Sequence, residues 1–120
     1  MARVLLVDDD TVILRLLEVN FRLEGFETTC VARGDDAVAS AQADPPDAVV
    51  LDLMLPGLDG HQVYERLRQD PSLERVPVVF LTARSLDDLR QVPGATYLSK
   101  PFDPATLVAT VRAALGDDPA

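Results

Sequence analysis

The stretch "LLVDDDTVIL", Leu5 to Leu14, sets three aspartates between two apolar runs. Its first half reads as a buried strand and its second as the start of a helix, so the acids fall where a strand ends. Adjacent carboxylates repel, and each favours water or a cation. Some group elsewhere in the chain, or a bound ion, is needed to compensate them.

Working outward, short apolar runs alternate with amphipathic stretches. Strands are expected at Arg3 to Val7, Glu27 to Val31, Ala48 to Leu51, Pro77 to Leu81 and Thr96 to Leu98. Val12, Leu16, Val19 and Leu23 recur at helical spacing and define the apolar face of a first helix, closed by Gly25. A second helix runs from about Asp35 to Ala43 and stops before Pro45-Pro46, and a third begins near Gly60 and stops before Pro71. Asp103-Pro104 opens the last helix, with Leu107, Val111 and Leu115 as its buried stripe. Strands separated by single helices imply a parallel α/β sheet with helices on both faces. "AVVL" and "PVVFL" are apolar throughout and read as central strands, whereas "FETTCV" alternates and reads as an edge.

The chain has 120 residues, 48% of them hydrophobic, which suits one compact domain spanning residues 1–120, with the tail Gly116 to Ala120 expected to fray. Lys plus Arg total 11 against 20 Asp plus Glu, a net charge of −9, which opposes contact with nucleic acid or an anionic membrane. The lone Cys30 cannot form an internal disulfide, and no leader or long apolar span is recognisable, so a cytoplasmic protein is expected.

The polar residues cluster at the strand ends: Asp8 and Asp9 after the first, Asp52 after the third, Thr82 after the fourth and Lys100 after the fifth. In a parallel sheet these ends share one edge, where open α/β folds bind ligands. Three carboxylates around one crevice suit Mg2+, a hard ion that takes oxygen ligands, waters and a phosphate. A lysine and a hydroxyl opposite them would help neutralise a phosphoryl group, which points to phosphoryl chemistry on an aspartate.

The whole chain resembles a receiver domain of two-component response regulators. The resemblance is carried by "VDDD" at Val7 to Asp10, "LDLMLPGLDG" at Leu51 to Gly60, "LTAR" at Leu81 to Arg84 and "YLSKPF" at Tyr97 to Phe102. It implies a flavodoxin-like, doubly wound five-stranded sheet of order 2-1-3-4-5. It also implies that Asp52 accepts phosphate from a histidine kinase or histidine phosphotransfer protein, so that the domain is a regulatory phosphoacceptor and not an enzyme. Asp9 would then ligate Mg2+, Asp8 would hold it largely through water, and Asp52 and the carbonyl of Met54 would complete the protein's share. Thr82 and Lys100 would contact the phosphoryl oxygens, Tyr97 would be an aromatic switch that turns inward, and Lys100-Pro101 would be a cis bond. The long side chains of Met54 and Arg84, two places beyond Asp52 and Thr82, imply slow self-dephosphorylation.

Plainer readings stand beside these. Asp10 and Thr11 suit helix capping, Cys30 suits core filling, and His61, the only histidine, suits a solvated helix position. Asp8-x-Asp10 also fits the nucleophile motif of haloacid dehalogenase-type phosphatases, although no later strand end supplies the further acids they need. A nucleotide carrier is disfavoured by three aspartates where phosphate would sit. A receiver-like module acting without phosphorylation would lack one of Asp9, Asp52, Thr82 or Lys100, and all are present. From Thr82 to Lys100 the chain is about four residues shorter than usual for the family, roughly one helical turn. Within it, Ser85 can open a helix that Pro93 and Gly94 close early, so the fourth helix is expected to be short or irregular.

Overall fold

The computed structural model describes residues 2–116. Strands β1 (Arg3–Val7), β2 (Glu27–Val31), β3 (Ala48–Asp52), β4 (Val78–Thr82) and β5 (Thr96–Ser99) form one parallel sheet of order β2-β1-β3-β4-β5. Helices α1 (Thr11–Leu23), α2 (Gly34–Ala43), α3 (Gly60–Gln69) and α4 (Pro104–Ala114) supply the crossovers and the closing element. Between β4 and β5 there is only a single 3-10 turn, Leu86–Asp88, so the short fourth helix has contracted to one irregular turn. The tail from 117 to 120, expected to fray, lies outside the described residues.

Alternation along the strands divides the core. Leu5, Val7, Val49, Leu51, Val78 and Phe80 face α2 and α3, while Val4, Leu6, Val50, Val79 and Leu81 face α1 and α4. β3 and β4 are buried at every position, as their unbroken apolar runs require, and β2 is the partly exposed edge. β3 and β4 each run one residue beyond the apolar stretch, so Asp52 and Thr82 are the last residues of their strands. Pro77 has no N–H to give, and the β4 ladder starts at Val78, but the Pro77 carbonyl still accepts from Val49 N at 3.0 Å.

Side-chain caps fix where the helices begin. The Asp10 carboxylate accepts from Val12 N and Ile13 N, Asp59 forms a capping box with Gln62, and Asp103 accepts from Ala105 N ahead of α4. At Gly60 a Cβ would lie 2.7 Å from the Asp52 carbonyl oxygen and 2.8 Å from Leu53 Cα. Only glycine lets the start of α3 lie this close to the strand end that carries Asp52.

Helix α1 corrects one expectation. Val12, Leu16, Val19 and Leu23 do share a face, but that face is exposed, with Val12 at 76% and Leu23 at 80%. The sheet is covered instead by Leu17 and Phe21, with Ile13 and Leu14 partly buried beside them. The helix is apolar on two faces, and periodicity identifies both without saying which one the sheet selects.

This face assignment is testable by chemical denaturation of single variants. Leu17→Ala should cost about 3 kcal/mol through a core cavity. Val12→Ala and Leu23→Ala should each stay within roughly 0.5 kcal/mol of the parent. A larger loss at Leu23 than at Leu17 would restore the face expected from the sequence.

Candidate functional site

The parallel ladder brings the ends of β1, β3 and β4 and the start of the segment after β5 to one edge. Asp8 follows β1, and its backbone N–H donates to the Val31 carbonyl of β2 at 3.3 Å. Its side chain is wholly buried, with Oδ1 accepting from Asp10 N at 2.9 Å and Oδ2 from Lys100 Nζ at 3.1 Å. Asp52, 5% exposed, accepts from Met54 N on Oδ1 at 3.2 Å and from Lys100 Nζ on Oδ2 at 3.1 Å. Lys100 is aimed by its own backbone, whose N–H donates to the Thr82 carbonyl at 2.7 Å, and the bond to Pro101 is cis as expected. Asp9 is exposed, and oxygens of Asp8, Asp9 and Asp52 lie within 4.8 Å of one another.

Two carboxylates thus meet one ammonium, with a third carboxylate beside them. Burial pushes the Asp8 carboxyl above its usual value; the Asp10 N–H pulls it back, the Asp52 charge pushes it further up, and Lys100 pulls it back without prevailing. Burial on its own would lower the Lys100 ammonium, but its hydrogen bonds to Asp52 and Asp8 outweigh that and hold it above its ordinary value. The lysine therefore keeps its proton, and the surplus negative charge is left on the carboxylates. An all-oxygen cluster of this kind, partly open at Asp9, is capable of coordinating a hard divalent cation, and the donor set fits Mg2+.

Of the residues read from the sequence, Asp8, Asp9, Asp52 and Lys100 are brought together. Thr82 closes β4 beside them, buried, with its hydroxyl accepting from Arg84 N at 3.0 Å. Met54 binds Asp52 through its backbone N–H while its side chain is exposed. Asp10 caps α1, as its plainer reading held. Cys30 is half-buried against the α1 side of the core, and burial, with the Glu18 carboxylate beside it, pushes its thiol up to about 11.

Tyr97 is set apart from the acids. Its ring is buried and stacks on Phe80, its register partner across β4 and β5, with centroids 4.9 Å apart. His61, expected to be solvated, belongs to the same cluster. Its ring meets Phe80 edge-on at 5.3 Å, and its Nε2 lies 3.0 Å from the Tyr97 hydroxyl. The sequence signal was the aromatic at Tyr64, three residues along α3 and on the same face, which also packs on Phe80.

The profile of the response regulator receiver domain matches residues 4–112. The chain is 40% identical to the phosphate regulon transcriptional regulatory protein PhoB of Rhizobium meliloti, across 94% of this chain and 52% of that protein. It is 42% identical to the DNA-binding response regulator MtrA of Mycobacterium tuberculosis, across 98% of this chain and 54% of that protein. The chain therefore spans about half the length of these curated relatives. Among solved structures it resembles the receiver domain of the sensor histidine kinase PA1611 from Pseudomonas aeruginosa, which has a magnesium ion coordinated in its active-site cleft. That match has a TM-score of 0.87 and 34% identity, and covers 96% of this chain and 98% of that one. The chemotaxis response regulator CheY4 of Vibrio cholerae matches with a TM-score of 0.89 and 29% identity, covering 95% and 98%.

The charge imbalance generates a prediction with a defined sign. Because the folded-state pKa of Asp8 is raised above its ordinary value, its contribution to stability is present below that ordinary value and is lost as pH rises through the folded pKa. The metal-free fold is thus penalised near neutral pH, a cost that a bound divalent cation would relieve. Mg2+ at about ten times its dissociation constant should add about 1.4 kcal/mol at neutral pH, and less as the pH falls toward the carboxylate range. Asp8→Asn should raise the metal-free melting temperature and remove most of the Mg2+ response. A melt indifferent to Mg2+ at every pH would show that the cluster holds no cation.

Proposed function

The chain belongs to the response regulator receiver family, whose members are regulatory phosphoacceptors, and from that premise we propose that Asp52 accepts a phosphoryl group from a histidine kinase or histidine phosphotransfer protein. The observation that carries this reading is the bridge from Lys100 to both Asp8 and Asp52 at 3.1 Å, with Asp9 completing the acidic cluster. An oxygen of Asp52 forms the new O–P bond as the donor's N–P bond breaks, and the departing imidazole nitrogen keeps that electron pair. Lys100 stays protonated and neutralises phosphoryl oxygen. Thr82 donates its hydroxyl to another such oxygen once the group is in place. Asp8, Asp9, Asp52 and the Met54 carbonyl would hold Mg2+, which when bound would supply positive charge to the phosphoryl group.

Residues 1–120 act as one receiver domain in this reading, and its place of action is the cytoplasm, where a lone reduced cysteine persists. No helix among the described residues is long and apolar enough to cross a membrane. Phosphorylation switches the domain through Thr82 and Tyr97, and the exposed long side chains of Met54 and Arg84 slow attack by water. The phosphatase alternative is weakened because Asp10, its required second acid, is taken up in capping α1, and Asp8 has no exposed surface for attack. The exposed apolar face of α1 starts at Val12, immediately past the acidic loop, and offers the protein donor a surface next to the site.

Incubation with Mg2+ and acetyl phosphate should place one phosphoryl group on Asp52, and Asp52→Asn should abolish it, as read by intact mass and peptide mapping. Val12→Ser with Leu16→Ser should leave that reaction intact and slow transfer from a phosphohistidine protein about tenfold or more, the loss expected for an apolar contact of 1.4 kcal/mol. Mapping to Asp8 would move the function to the phosphatase class. Equal slowing with both donors would mean that the α1 face does not receive the donor protein.

A further inference from the structure

The segment from 83 to 95 has one 3-10 turn and little else to hold it. Leu86, Leu89, Val92 and Ala95 pack only partly against the core. Two tyrosine hydroxyls pin its far end. The Tyr97 hydroxyl accepts from Val92 N at 2.9 Å, and the Tyr64 hydroxyl donates to the Pro93 carbonyl at 3.2 Å.

A phenol has one proton to give. The Tyr97 oxygen already accepts from Val92 N, and its other polar neighbour among the described residues is His61 Nε2, at 3.0 Å. The arrangement that uses every group has the tyrosine donating to an unprotonated Nε2, which places the imidazole proton on Nδ1. Without that acceptor the phenol proton would be left unpaired in a residue that is 8% exposed.

We propose that His61 is a positioning residue of the phosphorylation switch: as acceptor for the Tyr97 hydroxyl it holds the ring buried on Phe80, and through Tyr97 it keeps the 83–95 segment docked. This deepens the proposed function and rests on it, because the segment begins next to Thr82, whose hydroxyl is oriented by Arg84 N within that segment. A docked segment presents Thr82 to an incoming phosphoryl group already ordered, and a loose one must be ordered at a cost to affinity.

The test compares His61→Phe, which keeps an aromatic ring against Phe80 but has no acceptor, with His61→Gln, which offers an amide oxygen in place of Nε2. In the metal-free protein, hydrogen exchange at the Val92 amide should quicken about five- to tenfold in His61→Phe and stay near the parent rate in His61→Gln. Amides of Val49 and Val50 in the central strand should not change. Binding of beryllofluoride with Mg2+ should weaken by a similar factor in His61→Phe only. Tyr97→Phe, which deletes the same bond from its other end, should reproduce these changes, and the double variant should add nothing further. Unchanged Val92 exchange or beryllofluoride affinity in His61→Phe, or an equal change in His61→Gln, overturns the proposal. If the parent binds no beryllofluoride at all, the phosphoacceptor reading fails, whereas the assignment of His61 to Tyr97 is judged on the metal-free exchange alone.

Discussion

One ammonium shared between two buried carboxylates is the constraint around which this molecule is arranged. Lys100 reaches Asp8 and Asp52 only because β1, β3 and β5 are parallel, so that residues far apart in sequence arrive at one edge. Without the lysine, two carboxylates would face each other with little water to separate them, and one of them would have to take up a proton. With it, the pair is tolerated but not balanced, because one positive charge faces two negative ones and Asp9 adds a third. The fold thus carries a local electrostatic cost at a site that its apolar core holds in register. That residual charge is what makes the edge capable of coordinating a cation.

The parts legible in the sequence were those where local pattern and tertiary demand agree. Apolar runs in β3 and β4 have one stable location, the middle of a parallel sheet, and the acids, hydroxyl and lysine that end or follow the strands fall on one edge once the strands are parallel. Asp103-Pro104 could only open a helix. Helix α1 was different because two of its faces are apolar at helical spacing. Choosing between them requires knowing the shape of the surface it covers, where Phe21 meets Phe26 and the α4 side chains, and no local rule contains that shape.

His61 was missed for a related reason. A histidine one residue into a helix is ordinarily solvated, and its surroundings here are made by residues on β4 and β5 that are its neighbours only after folding. Register sets Phe80 opposite Tyr97, their rings stack, and the stack forms a floor on which the first turn of α3 rests. The position of that turn is set by Gly60, which tolerates no Cβ against β3. A steric requirement at the acidic site thereby also places the histidine over the tyrosine.

The acidic site and the aromatic cluster are joined by β4, which carries Phe80 and Thr82 two residues apart and therefore on the same side of the sheet. β4 cannot serve as the moving part. It is buried at all positions and hydrogen-bonded to β3 on one side and β5 on the other, so displacing it would break two ladders and open both halves of the core. What can change at low cost is attached to its end: the Thr82 hydroxyl, which holds Arg84 N by one hydrogen bond, and the 83–95 segment, held by two tyrosine hydroxyls and a few partly buried side chains. Replacing a helix by a single 3-10 turn removes the rigid body that could be shifted as a unit and leaves a segment that docks or releases. In a sheet this tightly paired, that segment is the least costly place for any rearrangement at the end of β4 to go, with the strand itself acting as a fixed support.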